Sequence, residues 1–347
     1  WVLSSSDFAS IAGGQYNTVQ GANGVVSGGA NNTVGSFSTV QGGSFNVATT
    51  GDFLTIGGGH LNVVEGHGSG IGMGLNNSIV DFSHVATING GAQNTVSGNA
   101  STISGGAQNG AQGNNVNIAG GFGNTVAAVG STIGGGEANF IQTTSVDAED
   151  GFAVVSGGLQ NTITGPATYC AIGGGNANVI FAQHSVVSGG QQNSVSGASG
   201  VISGGYNNVA SGLYASIGGG SINVAGTQSS RIGGGTSNTV TGVGGTISGG
   251  TFNAAAAPAT SVSGGNRNSA TGQASVVSGG EFNHASAQFG AIGGGTSNLV
   301  SGAYAVVTGG ELNNATGNHS TVAGLMNGVS GNRAVIAGGE HNVASAE

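Results

Sequence analysis

Charge is nearly missing from this chain. Charged residues are 4% of its 347 residues, lysine is absent, and the only cations are Arg231, Arg267 and Arg333. Neutralising phosphates takes many Lys and Arg side chains. A net charge of −9 with three cations therefore argues against nucleic acid and against anionic membrane surfaces as partners. The single cysteine, Cys170, cannot close an intrachain disulfide and gives no reading of redox compartment. No segment approaches the roughly 18 continuous apolar residues a membrane-spanning helix needs. The chain opens without Met and begins and ends inside a repeat, which reads as a processed chain or a piece of a longer one.

What is abundant is glycine, 76 residues of it, and it is periodic. Residues 201–253 read VISGGYNNVASGLYA, SIGGGSINVAGTQSS, RIGGGTSNTVTGVGG, TISGGTFN, each line restating the one before. Anchoring each unit on the Ile or Val before the glycine pair gives 22 units, from Ile11 to Ile336. A fixed short period means stacked repeats and overrides the domain count that length suggests. The expectation is one continuous repeat array over residues 1–347. Regularity this strict also separates the chain from a disordered Gly-rich coil.

With the anchor as position zero, positions +2 and +3 are nearly always Gly, the visible departures being Met73 and Leu325. Position +6 is Asn in all units but one, where Gly328 stands, and +8 is Val, Ile or Ala except at Ser330. Positions −2, 0, +6 and +8 keep the period of two that marks one strand face. Glycine suits corners where φ is positive or backbones approach closely. Two adjacent glycines per unit would cost a helix roughly 2 kcal/mol. The pattern predicts an all-β parallel β-solenoid, or β-roll, of about 22 coils of about 15 residues. The structural asparagine column includes Asn193, Asn208, Asn223, Asn238, Asn253, Asn268, Asn283 and Asn298. Two readings fit it: a hydrogen-bonded ladder along the stack, or turn residues in the left-handed conformation.

One coil buries only two modest aliphatic side chains against the entropy of ordering its backbone, so a lone stack is thin. Position −1 supplies a second surface to bury. It is β-branched in most units, as at Val25, Thr39, Thr102, Val201 and Val306. Such an outward column suits packing about a symmetry axis, and the expected assembly is a trimer.

The stretches GGYNNVASGLYASIGGG (204–220) and SGGQQNSVSGASGVISGG (188–205) resemble the Gly/Asn/Ser head repeats of trimeric autotransporter adhesins, the YadA-like left-handed β-roll. The resemblance runs over nearly the whole chain, although most units are one residue longer than those of the best-known heads. It implies a homotrimer of parallel left-handed rolls, surface display, and adhesion to host protein, matrix or glycan. The expected location is extracellular, at a cell surface or on a fibre exterior.

The longest break in the rhythm is an insertion between Ile133 and Val155, residues 134–154, expected to project as a loop. Asp147, Glu149 and Asp150 lie in it, and three carboxylates so close could hold Ca²⁺. The stretch lacks the spacing of known calcium loops, so a solvated acidic loop is the preferred reading and no cofactor is required. A second feature is an aromatic column at −3: Phe8, Phe37, Phe53, Phe152, Tyr169, Tyr214, Phe289 and Tyr304, joined by His184 and His319. These rings suit a subunit interface first and a ligand surface second. Tyr16, Phe45, Phe252 and Phe282 form another set at +5.

Catalysis has little support. The seven histidines do not all fall in one column, Ser is everywhere, and Cys170 reads as a small buried thiol. Only the acidic insertion could supply a carboxylate pair for glycan cleavage. The functional expectation is a non-enzymatic adhesive fibre or head segment. A structural filament built by end-to-end stacking and a phage or virus receptor-binding fibre are the alternatives. Ice binding through Thr ranks is disfavoured because Thr alternates irregularly at −1.

Overall fold

The computed structural model describes residues 7–144 and 151–345. All regular structure among them is parallel β-strand, with no helix. The chain is the expected parallel solenoid of about 22 coils, and it divides into two compact units, residues 1–177 and 178–347.

Both units are built alike. Each coil carries an anchor strand at −1 and 0 and a second strand at +7 and +8, both short. In the first unit, Thr102–Ile103 lies between Thr87–Ile88 and Asn117–Ile118, while Thr95–Val96 pairs with Gly110–Ala111. In the second, Val201–Ile202 lies between Val186–Val187 and Ser216–Ile217, and Val209–Ala210 between Ser194–Val195 and Val224–Ala225. A third column of single bridges runs at +4, as in Tyr206, Ser221 and Thr236. Register is preserved from coil to coil, so side chains of one position form a column.

The interior is narrow. Ile202, Asn208, Ala210, Gly212 and Ala215 fill it in one coil, and every one is buried. The face predicted from −2, 0, +6 and +8 is thus the core, with +10 as a fifth inward place. Outward positions are −1 and +1 on one sheet and +7 and +9 on the other. Most backbone N–H groups donate to the following coil, as Ser203 N does to Ile217 O at 3.0 Å and Tyr206 N to Gly220 O at 2.9 Å. Two per coil point back: Asn207 N to Gln191 O and Tyr214 N to Ala198 O, at 2.9 and 3.0 Å. Those residues, at +5 and −3, hold φ near +52° and +57°. The left-handed geometry reverses the N–H and throws the side chain outward at each corner.

In the coil anchored on Ile247 the glycine pair is one required residue and one tolerated one. Gly250, at +3, has φ +88°, and a Cβ there would strike the Gly265 carbonyl of the next coil. Gly249, at +2, faces open space.

The apparent exceptions in the coil anchored on Val322 vanish. A one-residue deletion shifts the register after Val307, so that Gly310 pairs with Gly324 and Glu311 with Leu325. Gly324 takes the left-handed +3 place with φ +103°, Asn327 the buried asparagine place, and Val329 the +8 place. Gly328 and Ser330 only appeared to break the columns because counting from the anchor ignored the deletion.

Of the 134–154 stretch, residues up to 144 complete an ordinary corner and strand. Phe140–Thr143 pairs with Thr162–Gly165 over four residues, so both irregular coils lengthen the same strand. Thr144 N then donates to Gly165 O at 2.8 Å. Residues 145–150 lie outside the described residues, and Asp147, Glu149 and Asp150 with them.

Candidate binding surface: columns at the coil corners

The asparagine column fixes the register on which every exposed column depends. Asn223 shows its full set of bonds. Its backbone N donates to Asn208 Oδ1 at 3.0 Å, and the two hydrogens of its Nδ2 are shared among Asn208 Oδ1, Gly219 O and Gly235 O at 3.1, 3.0 and 2.9 Å. Its own Oδ1 accepts from Asn238 N at 3.0 Å. The same pattern recurs at Asn193, Asn208, Asn283 and Asn298, and with a backbone-only Oδ1 link at Asn238, Asn253 and Asn268. These amides form a ladder, and the left-handed residue is the one before each. A buried polar column is stable because no donor or acceptor in it goes unmet.

Outside, the corners carry the aromatics. Phe289 and Tyr304 stack with centroids 4.8 Å apart, and Tyr304 and His319 at 4.9 Å and 3°. Phe152 and Tyr169 stack at 5.6 Å, while Phe37 and Phe53 are tilted at 5.5 Å. These spacings match the roughly 4.8 Å rise between neighbouring strands. Tyr214 stands exposed. All these rings lie at the surface of the single chain, Tyr304 at 49% exposure. Packed face to face, inner rings of a stack offer edges rather than faces.

The sequence columns did not single out what surrounds them. Arg267 sits at +5 between Phe252 and Phe282, its guanidinium carbon 5.5 and 5.3 Å from the two ring centroids. Near the other corner, Ala303, Tyr304, Asn318, His319, Asn332 and Arg333 line a groove of about 600 Å³. Reading positions −4 and −3 as a pair of columns would have placed the last four together. The sequence reading also passed over the outward +7 column, where Thr239, Val209 and Val224 are half-buried on the second sheet. Thr162 with Thr164 and Thr239 with Thr241 make isolated Thr ranks there.

Cys170 occupies the inward −2 place and is buried, its Sγ 3.4 Å from Thr168 O. No cluster of three or more His, Cys, Asp or Glu side chains that could hold a metal is present among the described residues. The His67 and His84 rings lie tilted with centroids 5.3 Å apart, and His67 Nδ1 accepts from Asp52 N at 3.0 Å. No protein-family model matches this chain, and neither does any curated protein sequence.

Proposed function

We propose that this chain is a non-enzymatic segment of an adhesive fibre displayed outside the cell. On this reading it is a YadA-like head in which three copies pack as parallel left-handed rolls. It binds a host surface protein, matrix or glycan through many weak contacts. One observation carries the reading: exposed apolar and aromatic side chains recur in register along a rigid ladder, as at Phe289, Tyr304 and His319. Repetition at coil spacing converts weak single contacts into avid binding without a deep pocket. The outward −1 columns provide the self-association surface, with Val154 and Val201 exposed in the single chain. An unpaired guanidinium is costly to bury, so that contact has to leave Arg231 wet.

Sedimentation equilibrium of the purified chain should give three times its 32.7 kDa mass. Binding to surfaces coated with matrix protein or glycan should fall steeply when the assembly is dissociated. Images of filaments many subunits long would replace this reading with that of a structural filament. A protein that binds no such surface as a trimer would end it.

A further inference from the structure

The groove beside Tyr304, His319 and Arg333 is a collection of donors. Asn318 Oδ1 accepts from Ala303 N at 2.9 Å, and Asn332 Oδ1 accepts from Asn318 N at 3.0 Å. Each oxygen is held by a backbone N–H, and neither amide NH₂ has a hydrogen-bond partner among the described residues. Arg333 at φ +59° and His319 at φ +58° are thrown outward by the left-handed corner. Arg333 makes no ion pair among the described residues. No carboxylate lines the groove, in a chain whose net charge is −9. Tyr304 is stacked on both faces, by Phe289 and by His319, so it presents its ring edge, where the quadrupole is positive.

We propose that this groove is a binding site for a carboxylate-bearing sugar, a residue of the uronic acid class. Arg333 engages the carboxylate through the paired N–H groups of its planar fork, which fits a carboxylate edge to edge. The NH₂ groups of Asn318 and Asn332 donate to ring hydroxyls, and the Tyr304 and His319 edges wall the sugar. The volume of about 600 Å³ accommodates one or two pyranose rings. This deepens the adhesive reading by naming a ligand class, and it rests on that reading.

Titration calorimetry on the full chain, with digalacturonate and a neutral galactose disaccharide as probes, tests it. The acidic sugar should bind at least about tenfold more tightly than the neutral one. Arg333→Gln should weaken digalacturonate binding by roughly tenfold or more, the scale of a lost charge-assisted hydrogen bond. Arg267→Gln, which alters an exposed cation outside the groove, should leave it unchanged. Equal binding of both sugars, equal weakening by both Arg variants, or inorganic sulfate binding as well as the disaccharide would each overturn the site. A chain that adheres to coated surfaces yet takes up no digalacturonate overturns the groove and leaves the adhesive reading standing.

Discussion

Replacing adjacent glycines by alanine should move stability in opposite directions. At Gly250, an alanine Cβ would run into the Gly265 carbonyl oxygen and sit 2.5 Å from Asn253 Nδ2 and 2.8 Å from Gly265 N. The obstacle is backbone of the next coil, so it cannot swing aside. Clearing it breaks two bonds to Gly265 O, from Thr251 N and from Asn253 Nδ2, both 2.9 Å. Each is worth about 1 kcal/mol net, and a buried amide left short of partners adds about 1–2 kcal/mol. Holding Ala near φ +88° adds roughly 1 kcal/mol more. Gly250→Ala should therefore cost about 4–5 kcal/mol. At Gly249 nothing lies within 4 Å and φ is not left-handed. There, Gly249→Ala narrows the unfolded ensemble and should stabilise by about 0.4–1 kcal/mol. Coils interact chiefly with their neighbours, so the damage should be local. Hydrogen exchange, read peptide by peptide across 240–275, measures it against urea unfolding of the whole chain. If Gly250→Ala kept wild-type protection, or Gly249→Ala lost as much as it, the steric account of the corner would be wrong.

The asparagine ladder gives a second test. Asn223→Ala orphans Asn238 N and Gly219 O and leaves Gly235 O with Ser221 N as its remaining donor, and should cost on the order of 3–5 kcal/mol in urea unfolding. Asn223→Asp turns a carboxyl toward those same carbonyls in a buried place, which raises its folded pKa above the unfolded value. The folded state then binds the extra proton, so stability should be greatest near pH 4 and fall as pH rises, shown by a declining Tm relative to wild type. Among the inward serines, Ser275 Oγ and Ser320 Oγ are buried without a partner among the described residues. Ser101 Oγ, by contrast, has Asn99 O and Gly113 O within reach of its one proton and accepts from Val116 N. Ser275→Ala should be neutral or mildly stabilising, while Ser101→Ala should lose about 1–2 kcal/mol, a difference calorimetric melting resolves. Finally, Ile222 is β-branched at φ +58°, and Ile222→Gly should gain roughly 1 kcal/mol in chemical denaturation by relieving that strain.

The inward face, the corner glycines and the absence of helix were legible because each reflects a local rule repeated in every unit. One deletion defeated simple counting. Residues after Val322 keep their columns only if the shortened corner is recognised, and Asn327 is identified by its bonds rather than its offset. The binding columns were half legible. Aromatics at −3 could be picked out as a type, but the groove depends on −4 and −3 side chains from successive coils meeting. Asn318 and Asn332 carry no distinctive motif, and that backbone N–H groups of the preceding coil hold their oxygens is visible only in the stack.

The order of residues alone determined that each block of β-branched anchor, glycine corner and asparagine forms one rung, because strand period and corner sterics act within about fifteen residues. Only the stacked structure decided which of two adjacent glycines is indispensable and which side chains become neighbours along a corner. Those outcomes are set by contacts between coils, across a gap about one strand spacing wide, where a single carbonyl or ring fixes what fits.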